Sequence, residues 1–267
     1  MPTSHLAQAI LLDGADATAF AQGQFTSQVA ALPNGQWQFS SWLDTQGRVR
    51  HLFHLARLGE EQLLMILRGG DAVNFVEALR RFVFRSRVTL SVLEGKKLAT
   101  GDALPTHIVD VEDDVIRLGC GSHSLQLGSD VADDDAWQCA QLRAGWPWLP
   151  VTVLNELLPP SLSLHRLGAV ALDKGCYPGQ EMVARLHYRG GNKRHLHRVQ
   201  LSKEVAEGAE LRRDGREFVR LLTVISHQNV IEALAVMTDE TAKKLTQDAE
   251  NTSDDDVVIQ SLEAWSD

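Results

Sequence analysis

The sequence predicts an α+β fold, and three observations support this. Residues 49–93 read as two strands, a helix and a further strand, an order that differs from the alternating βαβ order of a parallel sheet. Beyond Lys193, short strand-like runs alternate with turns, which predicts a separate small β-barrel or sandwich. At 267 residues, the chain has the length of one large domain or of two to three modules.

The first elements are a strand, a helix and a second strand. Residues 8–12 predict a strand that ends at the turn Asp13–Gly14. Asp16 is placed to cap a helix over residues 17–32, since a carboxylate there can accept from free amides of the first turn. Residues 37–43 alternate between apolar and polar side chains, as a half-buried strand does.

A hairpin and an amphipathic helix come next. Residues 51–58 and 62–67 are strand-like runs joined by a short Gly-Glu-Glu turn. Asp71 then caps a helix whose apolar positions fall near one face. These positions are Val73, Val76, Leu79, Phe82 and Val83. Residues 87–93 follow as a strand.

The middle of the chain is less regular. Residues 107–118 predict a hairpin, and residues 133–145 a short helix ended by Gly145. Residues 146–162 contain four prolines, so regular structure is not expected there. Residues 257–265 predict a short final strand, which follows an acidic, solvated loop.

Charge and cysteine usage exclude several classes of protein. The net charge is −9, yet residues 248–267 alone hold seven acids and no Lys or Arg, so the body is near neutral. The three cysteines are odd in number and lack C-x-x-C spacing, which argues against a disulfide framework or a self-contained zinc site. With no signal peptide and no membrane-length apolar run, the expected location is the cytoplasm, away from membranes.

The stretch KGCYPGQE, residues 174–181, crowds reactive side chains onto one tight corner. Tyr177-Pro178-Gly179-Gln180 fits a type II turn, with Pro at the second position and Gly at the third. The residues after it predict a helix of one or two turns that stops at Gly190-Gly191. Lys174 and the helix N-terminus would both lower the pKa of the Cys176 thiol, which makes these two residues the catalytic candidates.

Each candidate also has a plain structural interpretation. A lone cysteine is more often a small buried apolar residue, and this interpretation is preferred for Cys120 and Cys139. Lys174 can be a solvated charge, and Gln180 and Glu181 can serve as helix caps.

Two further groups of residues are open to more than one reading. Trp137, Trp146 and Trp148 are either core aromatics or the walls of a site for a flat heterocycle. The basic residues of 185–198 suit an anion such as phosphate or a carboxylate, or form a solvated face. The acidic charge of the whole chain argues against direct tRNA binding by this strip.

KGCYPGQE, followed by RGGNKR at 189–194, closely resembles the hallmark of the folate-binding YgfZ family. Weaker similarities lie in residues 13–32, 42–55 and 143–150, so that the resemblance covers most of residues 8–198. The family is similar in fold to the T protein of the glycine cleavage system. The resemblance therefore implies a three-module fold around a central channel that holds tetrahydrofolate, with a small C-terminal β-barrel.

On this resemblance, the folate-binding core module comprises residues 1–46 and 136–192. A shortened α+β module comprises 47–135, and the C-terminal barrel with its acidic tail comprises 193–267. The implied folate contacts are Trp137, Tyr177, Gln180, Glu181 and Arg189.

The resemblance implies a tetrahydrofolate-binding accessory protein for assembly or repair of iron–sulfur clusters, not a conventional enzyme. Its clients would include enzymes that methylthiolate tRNA. Cys176 would be the key residue, acting as a transient cluster ligand shared with a partner, since one thiolate cannot hold a cluster alone. The implied partners are folate and iron–sulfur assembly or client proteins.

The alternative is a folate-dependent one-carbon transferase, either an aminomethyltransferase or a demethylase of the T-protein type. Its acid or base would come from Asp44, Glu181 or His187. The T proteins carry a working Asp soon after a Gly-Arg turn, whereas residues 47–53 here read GRVRHLF and contain no acid. A third hypothesis is a structural protein whose channel is vestigial.

Overall fold

The structure is a computed structural model that describes residues 6–132, 134–247, 250–251 and 257–265. Within these ranges the chain forms three antiparallel sheets with α-helices packed against them, so the predicted α+β class is confirmed. None of the helices in the described ranges is long and apolar enough to span a bilayer.

The first sheet has five strands in the spatial order β2-β3-β4-β1-β5. The strands are β1 (Ala9–Asp13), β2 (Gln36–Leu43), β3 (Val49–Arg57), β4 (Gln62–Leu67) and β5 (Thr89–Val92). The predicted hairpin is β3-β4, paired in register from Phe53–Leu67 to Arg57–Leu63. Each of the predicted strands in this part of the chain is present.

Both faces of this sheet are covered, which explains the unbroken apolar run in β4. Leu63 and Met65 face a core shared with helices α1 (Ala17–Gln24) and α2 (Ala72–Arg80). Leu64 and Ile66 face the opposite way, into a larger core shared with the other two sheets. Because successive strand residues point to opposite faces, a strand buried on both sides contains few polar positions.

Helix α1 is shorter than its sequence predicts. It ends at Gln24, and Phe25 already has extended backbone angles. The hydroxyl of Thr26 bonds to Ser41 and donates to the carbonyl oxygen of Ala169, at 2.8 and 2.6 Å. Such side-chain bonds compete with helical ones, so the chain turns away from the helix here. Asp16 makes no side-chain cap and instead accepts from Arg87.

Helix α2 is capped as predicted, because the carboxylate of Asp71 accepts from the amide of Asn74 at 2.8 Å. The buried face of this helix is rotated from the predicted one, however. Ala72, Phe75, Val76 and Leu79 are buried. Val73 is 51% exposed and Phe82 is 46% exposed, because Phe82 lies beyond the end of the helix.

The second sheet has the order β6-β9-β8-β7. Its strands are β6 (Lys97–Gly101), β7 (Val109–Glu112), β8 (Val115–Gly119) and β9 (Ser124–Gly128), and β7-β8 is the predicted hairpin. Helix α3 (Ala136–Arg143) follows and ends before Gly145, as predicted. The proline-rich segment contains only two short 3-10 turns, Val151–Val153 and Pro159–Leu162.

The third sheet follows helix α4 (Gln180–Arg189) and has the order β11-β12-β13-β10-β15-β14. Its strands are β10 (Arg194–Leu201), β11 (Glu210–Arg213), β12 (Arg216–His227), β13 (Val230–Thr238), β14 (Glu250–Asn251) and β15 (Val258–Trp265). Among the described residues nothing pairs β11 with β14, so the closed C-terminal barrel is not confirmed. Helix α5 (Asp239–Gln247), which was not predicted from the sequence, packs Ala242 and Leu245 into the apolar core of this sheet.

One apolar core joins all three sheets. It contains Ile66 of the first sheet, Leu125 of the second and Leu234 of the third, together with Trp137 of α3. Strand β1 pairs with β4, and β2 pairs with β3, so the predicted boundary after residue 46 falls inside the first sheet. The division into modules stays a prediction. Of the acidic tail, β15 is the predicted final strand, and the remainder lies largely outside the described residues.

Candidate functional site

Cys176 lies exposed at a corner built as the sequence predicts. The amide of Gln180 donates to the carbonyl oxygen of Tyr177 at 3.2 Å, and Gly179 has φ 79° and ψ 0°. These are the angles of the third position of a type II turn, which favour glycine. Helix α4 begins directly after the turn. The thiol is therefore held on a fixed piece of backbone and is open to solvent.

The corner is supported by the turn between β2 and β3. A Cβ on Gly179 would lie 2.5 Å from the carbonyl oxygen of Asp44 and 2.8 Å from the Cα of Gly47. The side chain of Asp44 accepts from the amides of Gln46 and Arg48, both at 2.8 Å. Two rigid turns thus pack backbone against backbone, and the carboxylate of Asp44 is used to hold its own turn.

Lys174 connects the corner to the segment after α1. Its ammonium group donates to the carbonyl oxygens of Phe25 and Ser27, both at 2.7 Å. The amide of Ala171 donates to the carbonyl oxygen of Thr26 at 2.8 Å. Burial lowers the pKa of Lys174 to about 8, so the amine is still mostly protonated at neutral pH. These hydrogen bonds hold the segment after α1 against the 174–181 motif, although 149 residues separate Phe25 from Lys174 in the sequence.

The other candidates in the motif have different surroundings. Tyr177 is buried, its hydroxyl donates to the carbonyl oxygen of Ala171 at 3.2 Å, and burial raises its pKa to about 12. The side-chain amide of Gln180 donates from Nε2 to the carbonyl oxygen of Lys174 at 3.4 Å. Glu181 and Arg189 are exposed at opposite ends of α4. Lys174, Tyr177 and Gln180 are thus joined at the corner that carries Cys176, and Arg189 lies at the far end of α4.

A cavity of about 210 Å³ lies elsewhere, between α3 and the proline-rich segment. Its walls include the three tryptophans, and the rings of Trp137 and Trp148 are 5.1 Å apart at an angle of 49°. The remaining lining residues are Leu6, Gln8, Gly69, Leu98, Gln138, Leu142, Glu207 and Thr223. No residue of the 174–181 motif lines any of the described cavities.

Arg68 was not among the functional residues predicted from the sequence, and it holds this wall in place. Its side chain is fully buried and donates to the carbonyl oxygens of Trp146 and Pro147 at 2.7 and 2.9 Å. It also donates to the amide oxygen of Gln141 at 2.7 Å and lies over the ring of Trp148 at 4.8 Å. Burial lowers the pKa of Arg68 to about 9, which still leaves it charged at neutral pH.

The buried guanidinium has a neutral neighbour on its other side. His54 Nε2 lies 3.2 Å from Arg68 Nη1. Burial and the charge of Arg68 hold the pKa of His54 well below its ordinary value, so the ring is neutral and can accept a hydrogen bond. The sequence offered one signal for this network, an arginine placed at the end of the apolar run of β4 and followed by two glycines.

Cys120 and Cys139 are partly buried, whereas Cys176 is exposed. Burial raises the pKa of Cys120 to about 11, and it also raises that of Cys139. Thiols held protonated in this way are poor nucleophiles and poor metal ligands. Among the described residues there is no group of three His, Cys, Asp or Glu side chains able to hold a metal ion.

Comparison with known proteins first defines the class. The fold matches that of the glycine cleavage system aminomethyltransferase T from Bartonella henselae with a TM-score of 0.65, covering 97% of this chain and 83% of that one at 14% identity. The chain thus has a T-protein-like fold. No protein-family model matches it.

The sequence relatives are more specific. An uncharacterized protein of Haemophilus influenzae is 29% identical over 76% of this chain and 75% of its own length. The tRNA-modifying protein YgfZ of Vibrio atlanticus is 29% identical over 70% of this chain and 65% of its own, and that of Edwardsiella ictaluri is 26% identical over 84% and 78%. The chain is a homologue of the YgfZ proteins, and the resemblance first seen around Cys176 is confirmed.

Proposed function

We propose that this protein is a cytosolic, tetrahydrofolate-binding accessory protein that supports tRNA modification through iron–sulfur enzymes, with Cys176 as its working group. The observation that carries the proposal is the exposed thiol on a corner fixed by Gly179 and by the bonds of Lys174. A thiolate is a soft ligand suited to iron–sulfur centres. The names of the YgfZ relatives link proteins of this kind to tRNA modification.

The tryptophan cavity fits the pterin end of a folate. Flat aromatic walls suit a flat heterocycle, and Glu207 and Gln138 supply a hydrogen-bond acceptor and an amide at its edge. At about 210 Å³ the cavity is smaller than the roughly 300–1,000 Å³ of sites for drug-sized ligands. We therefore assign it the ring system alone, with the glutamate tail outside. Bound there, tetrahydrofolate would supply or accept a one-carbon unit.

The cluster site needs a second protein. Iron–sulfur clusters are generally held by about four protein thiolates, whereas Cys176 is the exposed cysteine of this chain. The remaining ligands would come from an assembly or client protein. A single ligand on a rigid and accessible corner suits transfer of a cluster, because cargo held by one ligand can be released.

Substitution of Cys176 tests the working group. In a strain that lacks its own YgfZ, expression of Cys176→Ser is expected to leave methylthiolated nucleosides in bulk tRNA at the level of the empty vector, as measured by mass spectrometry. Cys139→Ser is the matched control, since that thiol is partly buried with a raised pKa, and it is expected to restore the wild-type level. Full restoration by Cys176→Ser would refute a role for the thiol.

Calorimetric titration tests the cavity. Trp137→Leu is expected to weaken tetrahydrofolate binding about tenfold, because an aromatic wall is lost while the side chain stays apolar. Trp265→Leu, on β15 and outside the cavity, is expected to bind as the wild type does. If the wild-type protein shows no binding at high micromolar ligand, the vestigial-channel hypothesis replaces the folate proposal.

The T-protein-like fold favours one alternative, a folate-dependent aminomethyltransferase or demethylase. Its predicted acid or base candidates are poorly suited to the role. Asp44 holds a turn, Glu181 and His187 are exposed on α4, and none of the three lines the tryptophan cavity. Turnover of a lipoyl-linked aminomethyl donor would favour the transferase over the accessory function.

A further inference from the structure

The loop that follows α2 exposes arginines and phenylalanines side by side. Its sequence from 80 to 87 is RRFVFRSR. The ring of Phe84 is 90% exposed, and the guanidinium of Arg85 lies 6.0 Å from its centre. Arg81 and Arg85 are exposed, and within the described residues neither has a carboxylate within 4.0 Å. Arg87 differs, because it pairs with Asp16 at 3.2 Å.

The backbone of this loop holds the ring of Phe84 outward. Phe84 has φ 21°, a conformation that bulky residues rarely adopt. The amide of Ser86 donates to the carbonyl oxygen of Val83 at 2.8 Å, and the amide of Arg87 donates to Asp16 at 2.7 Å. Leaving a phenylalanine in water forgoes the stabilisation that burial of its ring would give. A strained and pinned loop that keeps its aromatic ring in solvent indicates a ligand surface.

The features beside the loop extend this surface. An open cleft of about 310 Å³ is lined by Arg80, Val83, Val88, Thr89 and Leu90, and the guanidinium of Arg80 donates to the carbonyl oxygen of Leu90 at 3.3 Å. On the other side the rings of Phe82 and Trp42 are 5.9 Å apart, and the guanidinium of Arg50 lies over Trp42 at 4.3 Å. Trp42 is near the end of β2, whose turn packs against Gly179.

We propose that this loop binds a single-stranded segment of RNA, with a base stacked on Phe84 and phosphates bound by Arg81 and Arg85. The inference rests on the proposed function in tRNA modification and adds direct contact with the RNA. Single-stranded RNA is recognised by aromatic stacking together with basic groups that follow the backbone. An acidic peptide would match the arginines but would leave the exposed ring without a role.

The overall acidity of the chain does not oppose this proposal. The seven acids of residues 248–267 supply most of the net charge of −9, and they lie in a different part of the sequence from the loop. Direct tRNA binding was not expected of the 185–198 strip in a chain of this total charge, and the loop is a separate surface. The electrostatic part of RNA affinity depends on the cations in contact with phosphate.

Fluorescence anisotropy with a labelled single-stranded RNA of about 12 nucleotides tests the surface. Arg81→Ala with Arg85→Ala is expected to weaken binding at least tenfold and to reduce the slope of log K against log salt by about 1.4, at about 0.7 per lost phosphate contact. Phe84→Leu is expected to weaken binding about tenfold and leave that slope unchanged. The charge-matched control, Lys203→Ala with Arg216→Ala, removes two exposed cations elsewhere and should stay within about twofold of wild type.

Two results would overturn the RNA assignment. One is equal affinity of the double-arginine variant and its control. The other is competition by polyglutamate as strong as by RNA, with Phe84→Leu without effect, which would identify an acidic protein as the partner. Cys176→Ser is expected to bind RNA as the wild type does. Failure of the thiol hypothesis would therefore appear in the tRNA-modification assay and leave the RNA measurement unchanged.

Discussion

Arg68→Ala is expected to lower the free energy of unfolding by about 4 kcal/mol. The substitution leaves the buried carbonyl oxygen of Pro147, the buried amide oxygen of Gln141 and the partly buried carbonyl oxygen of Trp146 without their donor. Each buried unsatisfied acceptor costs about 1–3 kcal/mol, and the cavity left by the side chain adds to the loss. Relief from burying an uncompensated charge offsets part of this cost. Urea denaturation followed by tryptophan fluorescence gives the value.

Arg68→Met separates the two contributions. Methionine fills most of the volume but donates no hydrogen bond, so it is expected to recover about 1–2 kcal/mol of the loss. Both variants should bind tetrahydrofolate poorly, since Arg68 fixes the backbone that carries Trp146 and Trp148. An alanine variant within about 1 kcal/mol of wild type would show that the network contributes little to stability.

Gly179→Ala is expected to cost about 2–4 kcal/mol and to impair rescue of tRNA modification. Alanine is disfavoured at φ 79°, and its Cβ would meet the carbonyl oxygen of Asp44 at 2.5 Å. That neighbour is backbone of an adjoining turn, so relief requires the two turns to separate. The corner that carries Cys176 would then shift. Thermal unfolding and the complementation assay measure the two effects.

Gly175→Ala is the matched control on the other side of Cys176. A Cβ there meets no atom within 4 Å, so the variant is expected to stay within about 0.5 kcal/mol of wild type and to rescue modification fully. Equal behaviour of the two alanine variants would contradict the claim that turn packing at Gly179 positions the thiol.

Local signals in the sequence were enough to predict many of the elements. Pro178 and Gly179 specify one turn type through their own backbone preferences, and the structure shows that turn. The caps and stops at Asp71 and Gly190 are equally local. The predicted helix over residues 17–32 failed after Gln24, because a bond between Thr26 and a carbonyl 143 residues away competes with helix formation.

The residues of the candidate site likewise differ in whether the sequence could predict them. The Cys176 corner could be predicted because its chemistry lies within one short stretch of residues. Arg68 could not, since its partners Gln141, Trp146 and Pro147 lie more than 70 residues away and come near only in the tertiary structure. The exposure of Phe84 could not be predicted, because an apolar residue near a helix is ordinarily part of the core.

The contact of Lys174 with Phe25 has a consequence for biosynthesis. The two residues are 149 positions apart, so their hydrogen bond closes a very long loop and belongs to the slow, non-local class of folding events. A nascent chain whose Lys174 is still inside the ribosome cannot form this hydrogen bond. The corner that carries Cys176 is therefore assembled late, once the segments around Phe25 and Lys174 have both been synthesised.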